Sequence, residues 1–552
     1  MHITPRLSFF LSILFCILLC RAPAALSTPS VLPVPDNIQN GDIVLLSCGR
    51  IYSGELDLSH KVNVRVATKG DCGAATITPA RPVQFWFKTT QNSSIWWAAI
   101  DFIPAQLEIN GEFIALAHHP NLPQVWATGR SQFSGQLTHR MPSDDLSGAT
   151  LVWRAADWLI ETRQIARYED GVIHLTPAAD DSFPLLPDTE FYVEGKRWML
   201  DSPGEWAYAD GKLYVWSPDG KSPEGRTWAA PRARAINARG SRDVQIKGVT
   251  IFAATLGIDG SDATNLQITD TVIRNSGEDA ILAGGSGLRV KRVSIINTVQ
   301  NGLRANDDAR DVVVADSSID GAGMLGMPRR SKGALVFELS TGQRIERNHI
   351  RDASYIGIRV YRDAVVADNI IERVCLRLSD CGGIYTFARD RKPLHVRIER
   401  NQIRGLDQRM AHAIYLDDYA NGVMVNANLM ENNPGGMQLH NAFANVIRDN
   451  IFRNSQFEHI LFNETGATAS IQQNRIMHNR FESTHKAPTY RLWSEHGATY
   501  VQRFGKFDAN VYVNTHPMFA EVAGSGMLNF REWKRHVSDE TRALHSIPRP
   551  PP

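Results

Sequence analysis

The run HAIYLDDYANG, His412 to Gly422, closes an alternating apolar segment on two adjacent carboxylates, Asp417 and Asp418, just ahead of Asn421-Gly422. Two carboxylates flanking a glycosidic bond can cleave it, one as acid and the other as base or nucleophile. An Asp ahead of Asn-Gly can equally open a turn. Downstream stand His440, which could tune a carboxylate or itself move a proton, and two further acids, Glu458 and Glu464.

Whether these groups meet depends on the elements that carry them, and from about Val244 the sequence repeats. The apolar residues closing each xVxxNxI-like motif are Ile251, Ile273, Ile295, Ile319, Ile350, Ile371, Ile403, Met430, Phe452 and Ile476, at spacings of 22, 22, 24, 31, 21, 32, 27, 22 and 24. A basal period near 22 with a few longer gaps is that of a parallel β-helix with loops inserted into particular turns. Asn stands two residues before the marker at Asn348, Asn369, Asn401, Asn428, Asn450 and Asn474. Stacked at one turn, these side chains would hydrogen-bond along the coil.

Each repeat then carries a second short strand. Alternation sends Ile281, Leu303, Leu335, Ile358, Ile384, Ile414, Met437 and Ile460 inward, with a second inward column from Ala283 to Phe462. A slip of one residue would bury the polar set, so the register is fixed. The outward columns gather Arg304, Arg359, Tyr385, Tyr415 and Gln438, then Glu338, Tyr361, Phe387, Asp417 and His440. These are side chains that stack on sugar rings and hydrogen-bond their hydroxyls, and we expect Arg304, Glu338, Arg359, Tyr361, Tyr385, Tyr415 and Gln438 to bind substrate. The longest gaps hold MLGMPRRSKG and CLRLSDCGG, loops that would wall this face into a cleft.

Rungs stack about 4.8 Å apart, which places His440 one rung from Asp417 and Glu338 three rungs, or about 14 Å, away. That is beyond the roughly 5–9.5 Å between the carboxylates of glycosidases, so Glu338 reads as a subsite residue. Asp418, Glu458 and Glu464 remain as partners for Asp417, and spacing alone does not choose among them.

The N-terminal MHITPRLSFFLSILFCILLCRAPAALS has the layout of a cleaved secretory signal, 1–24, and predicts a secreted or periplasmic protein. Its removal takes Cys16 and Cys20 and leaves Cys48, Cys72, Cys375 and Cys381, whose natural local pairs are Cys48–Cys72 and Cys375–Cys381. Neither pair has CxxC spacing, so disulfides are favoured over zinc. With 59 Lys+Arg against 58 Asp+Glu there is no global field to draw the chain to nucleic acid or an anionic membrane. No later apolar run is long enough to span a bilayer, and a monomer is expected.

The expected architecture is all-β: first coils over 31–103, an inserted β-rich domain over 104–228, a right-handed parallel β-helix over 229–483, and a capping segment over 484–552. SSIWWAAIDF reads as an initial rung, DGVIHL and ADGKLYVW as hairpins of the insert, and FREWKRHV as a short helix over the open end of the coil.

The run AIYLDDYANGVMVNANLMENNPGGMQLHNAFANVIRDNIF resembles the YLDD and IHGG..N.I.NNIF pattern of secreted right-handed β-helix glycosidases, notably glycoside hydrolase family 141. GDIVLLSCGRIYSGEL, EINGEFIALAHHPN and LDSPGEWAYADGKLYVWSPDG are similar to further segments of that group, although HGG reads His440-Asn441-Ala442 here. The resemblance implies a catalytic carboxylate at Asp417 or Asp418 and a second acid further along, for which Glu458 is preferred, and a poly- or oligosaccharide substrate. No cofactor is required on this reading, though acidic residues could supply a Ca²⁺ site. The competing expectations are a polysaccharide lyase or uronate epimerase, supported by Arg304, Arg359, Arg362 and Lys332, and a non-catalytic carbohydrate-binding coil.

Overall fold

Three short strands per turn, each with an inward aliphatic residue, stack in parallel into three long sheets and form a right-handed β-helix. The computed structural model describes residues 31–121, 126–131, 135–177, 183–466, 470–483, 487–537 and 544–546. The expected signal peptide and its two cysteines lie outside these residues. No described helix is long and apolar enough to cross a membrane. One turn runs Gln245–Lys247, Val249–Phe252, Leu256–Gly260, each strand pairing one repeat later with Gln267–Thr269, Val272–Ser276 and Ile281–Ala283. The sheet carrying the site keeps the anticipated register, with Ile384, Ile414, Met437 and Ile460 in one inward column and Tyr385, Tyr415, Gln438 and Leu461 outward.

The asparagine ladder sits where the chain turns between two of the sheets. The left-handed position is the residue before each Asn: Arg347, Asp368, Arg400, Ala427 and Asp449, with φ of 54° to 58°. Each Asn is thereby free to bond along the coil. Asn369 sends its backbone N–H and its amide to Asn401 Oδ1 at 3.0 and 2.9 Å, and Asn401 repeats this on Asn428. Beyond Asn450 the ladder continues to Asn479 and Asn510, not to Asn474. Asn474 bonds Asn445 at a different turn, and Ile476 stacks on Ile447 while Phe481 follows Phe452. Asn474-Arg475-Ile476 and Asn479-Arg480-Phe481 fall five residues apart, and either satisfies the period.

Both expected disulfides are present, with Cα–Cα distances of 5.3 Å for Cys48–Cys72 and 6.0 Å for Cys375–Cys381. The insert is larger than expected. The chain leaves the coil after Ala75–Thr78 and rejoins it at Arg234–Asn237, which stacks between Leu56–Asp57 and Leu256–Gly260. SSIWWAAIDF belongs to it: Ile95–Ala99 pairs antiparallel with Lys212–Trp216 and is not a rung. Alternation alone cannot distinguish these two settings. At the other end the coil persists past 483 through Tyr490–Ser494, Gly505–Asp508 and Val511–Val513, and the helix Phe530–His536 then closes it. Trp533 of that helix is fully buried and stacks on Tyr490 at 4.9 Å.

Asn401→Leu should leave the Asn369 backbone N–H and one of its amide hydrogens buried without an acceptor, a loss of about 2–6 kcal/mol at roughly 1–3 kcal/mol per group. A thermal midpoint equal to that of the parent would contradict the ladder's role.

Candidate active site

Asp417 ends the strand Ala411–Asp417, and its side chain points out of the coil. Its Oδ1 lies 2.6 Å from His440 Nδ1, and its Oδ2 accepts from the Tyr385 hydroxyl at 2.6 Å. His440 Nε2 is in turn 2.7 Å from Thr465 Oγ1, which holds the ring in place. Asp418 and Tyr419 both have positive φ, so Asp418 opens the turn as its position suggested. Its carboxylate also bonds Arg389 at 2.7 Å and stands 4.0 Å from His440 Nδ1.

A group that the sequence did not single out joins them. Asp380, beside Cys381 at the end of the CLRLSDC loop, accepts from Tyr415 and feels the charge of Asp417. Its signal was its place inside the smaller disulfide loop, directly ahead of the Gly382-Gly383 corner. Burial raises Asp380 above the usual carboxylate range, and the Asp417 charge adds to this. Burial would raise Asp417 too, but the hydrogen bond and charge of His440, with the Tyr385 hydrogen bond, outweigh it and hold the carboxyl below the usual range. Burial lowers His440, while the Asp417 hydrogen bond and the charges of Asp417, Asp418 and Asp380 raise it to a net upward shift. Two neighbouring carboxylates are thus driven in opposite directions, as acid and base roles require.

Several expected sugar contacts serve the carboxylates instead. Tyr385, Tyr415 and Tyr361 are 7, 3 and 6 % exposed, and the first two turn their hydroxyls onto Asp417 and Asp380. Arg359 lies 5.0 and 5.1 Å over the Tyr385 and Phe387 rings and bonds Glu338 at 3.1 Å, while Lys332 also pairs with Glu338. Arg304 bonds Asp279 at 2.8 Å and Arg362 bonds Asp390 at 2.5 Å.

Glu458 sits elsewhere on this face. It bonds His412 Nε2 at 3.1 Å and Arg491 at 2.7 Å, and with Gln438 and Phe457 it lines a cavity of about 370 Å³. The link spans two rungs because Gly435 intervenes, where a Cβ would come within 2.2 Å of the His412 ring. Glu464 is 1 % exposed and is consumed by the Ser470 and Ile471 N–H groups and the Ser494 hydroxyl. Farther along the coil a cavity of about 610 Å³, between the face and the insert, includes Arg304, Lys332, Arg329 and Glu194.

Asp417, Asp418 and His440 offer ligand atoms within 4.8 Å of one another. Two carboxylates and an imidazole fall short of the six to eight oxygens Ca²⁺ takes. The His440–Asp417 hydrogen bond already occupies the facing atoms.

The family model described as "Right handed beta helix region" matches residues 230–403 and 333–501. No curated protein matches the sequence significantly. Among solved structures, one titled "Glycoside hydrolase" is 12% identical with a TM-score of 0.59, covering 80% of this chain and 89% of its own. A complex of XylC with xylose is 10% identical at a TM-score of 0.37, covering 93% and 82%, and the Azotobacter vinelandii mannuronan C-5 epimerase AlgE6 A-module is 11% identical at 0.35, covering 57% and 85%. At 12% identity the likeness to the first is one of fold.

His440→Gln should release Asp417 from its cation, let burial prevail and move the Asp417 titration upward. Carboxyl-carbon NMR titration reads this directly, and an unmoved Asp417 curve would show that His440 does not govern it.

Proposed function

We propose that this β-helix protein is a glycoside hydrolase acting on a poly- or oligosaccharide, with Asp417 as the ionised base or nucleophile and Asp380 as the protonated acid. The observation that carries this reading is the opposed displacement of the two carboxyls, one pushed down by His440 and Tyr385 and the other pushed up by burial. Tyr385 and Tyr415 position the pair, Asp418 supports His440 electrostatically, and Glu458 belongs to the neighbouring cavity as a sugar contact. Arg359 and the Glu338–Lys332 pair extend the face on the other side of Asp417.

A lyase or epimerase on uronates is the second reading, favoured by Arg304, Arg329 and Lys332 in one cavity. Each of these is already matched by a carboxylate, Asp279, Glu194 and Glu338 respectively, which leaves less charge for an anionic sugar.

Purified protein incubated with plant and bacterial glycans should release reducing ends without the ultraviolet absorbance of unsaturated uronates. Asp417→Asn and Asp380→Asn should each lose about 10²- to 10⁴-fold in kcat. The kcat/KM profile should rise with pH through an Asp417 limb below the ordinary carboxylate value and fall through an Asp380 limb above it, and Asp380→Asn should abolish the falling limb. Absorbance would move the assignment to a lyase, and full activity in both variants would remove the pair from the chemistry.

A further inference from the structure

Between the inserted domain and the coil lies a further cavity, about 680 Å³, that the proposed chemistry does not use. Its walls come from three separate parts of the chain. His118, Asn121 and Trp126 lie on one side, the Ser202-Pro203-Gly204-Glu205 turn on another, and the coil loop Gly326–Pro328 with Arg377 on the third. Arg377 donates to the carbonyls of Gly323, Met324 and Gly326 at 3.1 to 3.2 Å, which fixes the loop that forms the third wall.

Three polar atoms in this wall have no hydrogen-bond partner among the described residues, His118 Nε2, Asn121 Oδ1 and Glu205 Oε1. His118 is only 5 % exposed. Its other nitrogen bonds the Leu116 carbonyl at 3.1 Å and stands 2.9 Å from Glu205 Oε1. The Leu116 carbonyl therefore fixes the ring, with the buried Glu205 carboxylate beside it, and Nε2 is the nitrogen left without a partner. The Asn121 amide is likewise committed to Asp201, which leaves its oxygen. An orphaned buried polar atom costs about 1–3 kcal/mol, and three around one cavity are explained if a ligand satisfies them. Beside them stands the half-buried Trp126 ring, with Tyr192 tilted against it at 5.4 Å and Arg154 covering one side at 5.3 Å.

We propose that the insert carries a second saccharide-binding site, in which one pyranose ring packs on Trp126 and its hydroxyls bond His118 Nε2 and Asn121 Oδ1. A pyranose has the required chemistry: an apolar C–H face for an aromatic ring and hydroxyls that both donate and accept. The cavity shares Ala115, Gly326 and Met327 with the one that reaches Arg304 and Lys332 on the coil face, so a chain held here is led toward the face. This site needs no catalysis and stands apart from the Asp417–Asp380 assignment.

The test is calorimetric titration of the full chain carrying Asp417→Asn with soluble xylo-, cello-, galacto- and galacturono-hexasaccharides. The expected result is binding of at least one of them that Trp126→Ala weakens about tenfold, or about 1.4 kcal/mol, that Asn121→Ala also weakens, and that Trp126→Phe largely keeps. Unchanged affinity in both alanine variants overturns the site. So does the absence of any binding tighter than about 1 mM, or an equal loss in Trp126→Phe and Trp126→Ala. Should the hydrolase assignment fail, the same titrations still report on this site, because they read binding alone.

Discussion

The turns of a stacked coil slide over one another unless something buried between them has only one place to bond. Here the asparagine ladder does this: each amide accepts from the rung before it and donates to the rung after it, inside a wall of aliphatic side chains. The cost of leaving any of these groups unpaired in a dry interior makes the stacking register discrete. Everything outside the coil inherits that register. Tyr385 reaches Asp417, and Asp417 reaches His440, because three successive rungs are held in line.

At the site the same competition between burial and hydrogen bonding is resolved in two ways. Asp417 is nearly enclosed, yet it receives a hydroxyl and an imidazole, so the ion is retained. Asp380, a rung earlier, has Tyr415 but no such cation in contact, and burial prevails. The tyrosines that sequence reading assigned to sugar are the instruments of this difference. Their rings lie on the outside of the coil but are covered by their neighbours, so facing outward and being exposed are separate properties.

The period, the inward columns and the outward position of Asp417 and His440 were legible because alternation and repeat length are local and redundant. The disulfide pairs were legible from parity and proximity. Asp380 was not, since it lies in an irregular loop where no periodicity assigns a direction. Asn474 was misplaced because two motifs five residues apart meet the same spacing, and only the pairing of Phe452 with Phe481 decides between them. The start of the insert was missed because a strand carries no mark of whether its neighbour runs parallel or antiparallel.

The insert interrupts a single turn of the coil, so Asn237 bonds Asp57 across a separation of 180 residues. A basal turn closes about 22 residues, and the difference is roughly three doublings of loop length, or about 2 kcal/mol of closure entropy if the intervening chain is loose. A folded insert removes most of that penalty by bringing its own ends together. The first coils are therefore secured in part from outside, by a domain that shares none of their strands. Loosening the antiparallel sheets of the insert would lengthen the effective loop and fray the coil from its N-terminal end, while the far end, sealed by Trp533, stayed closed.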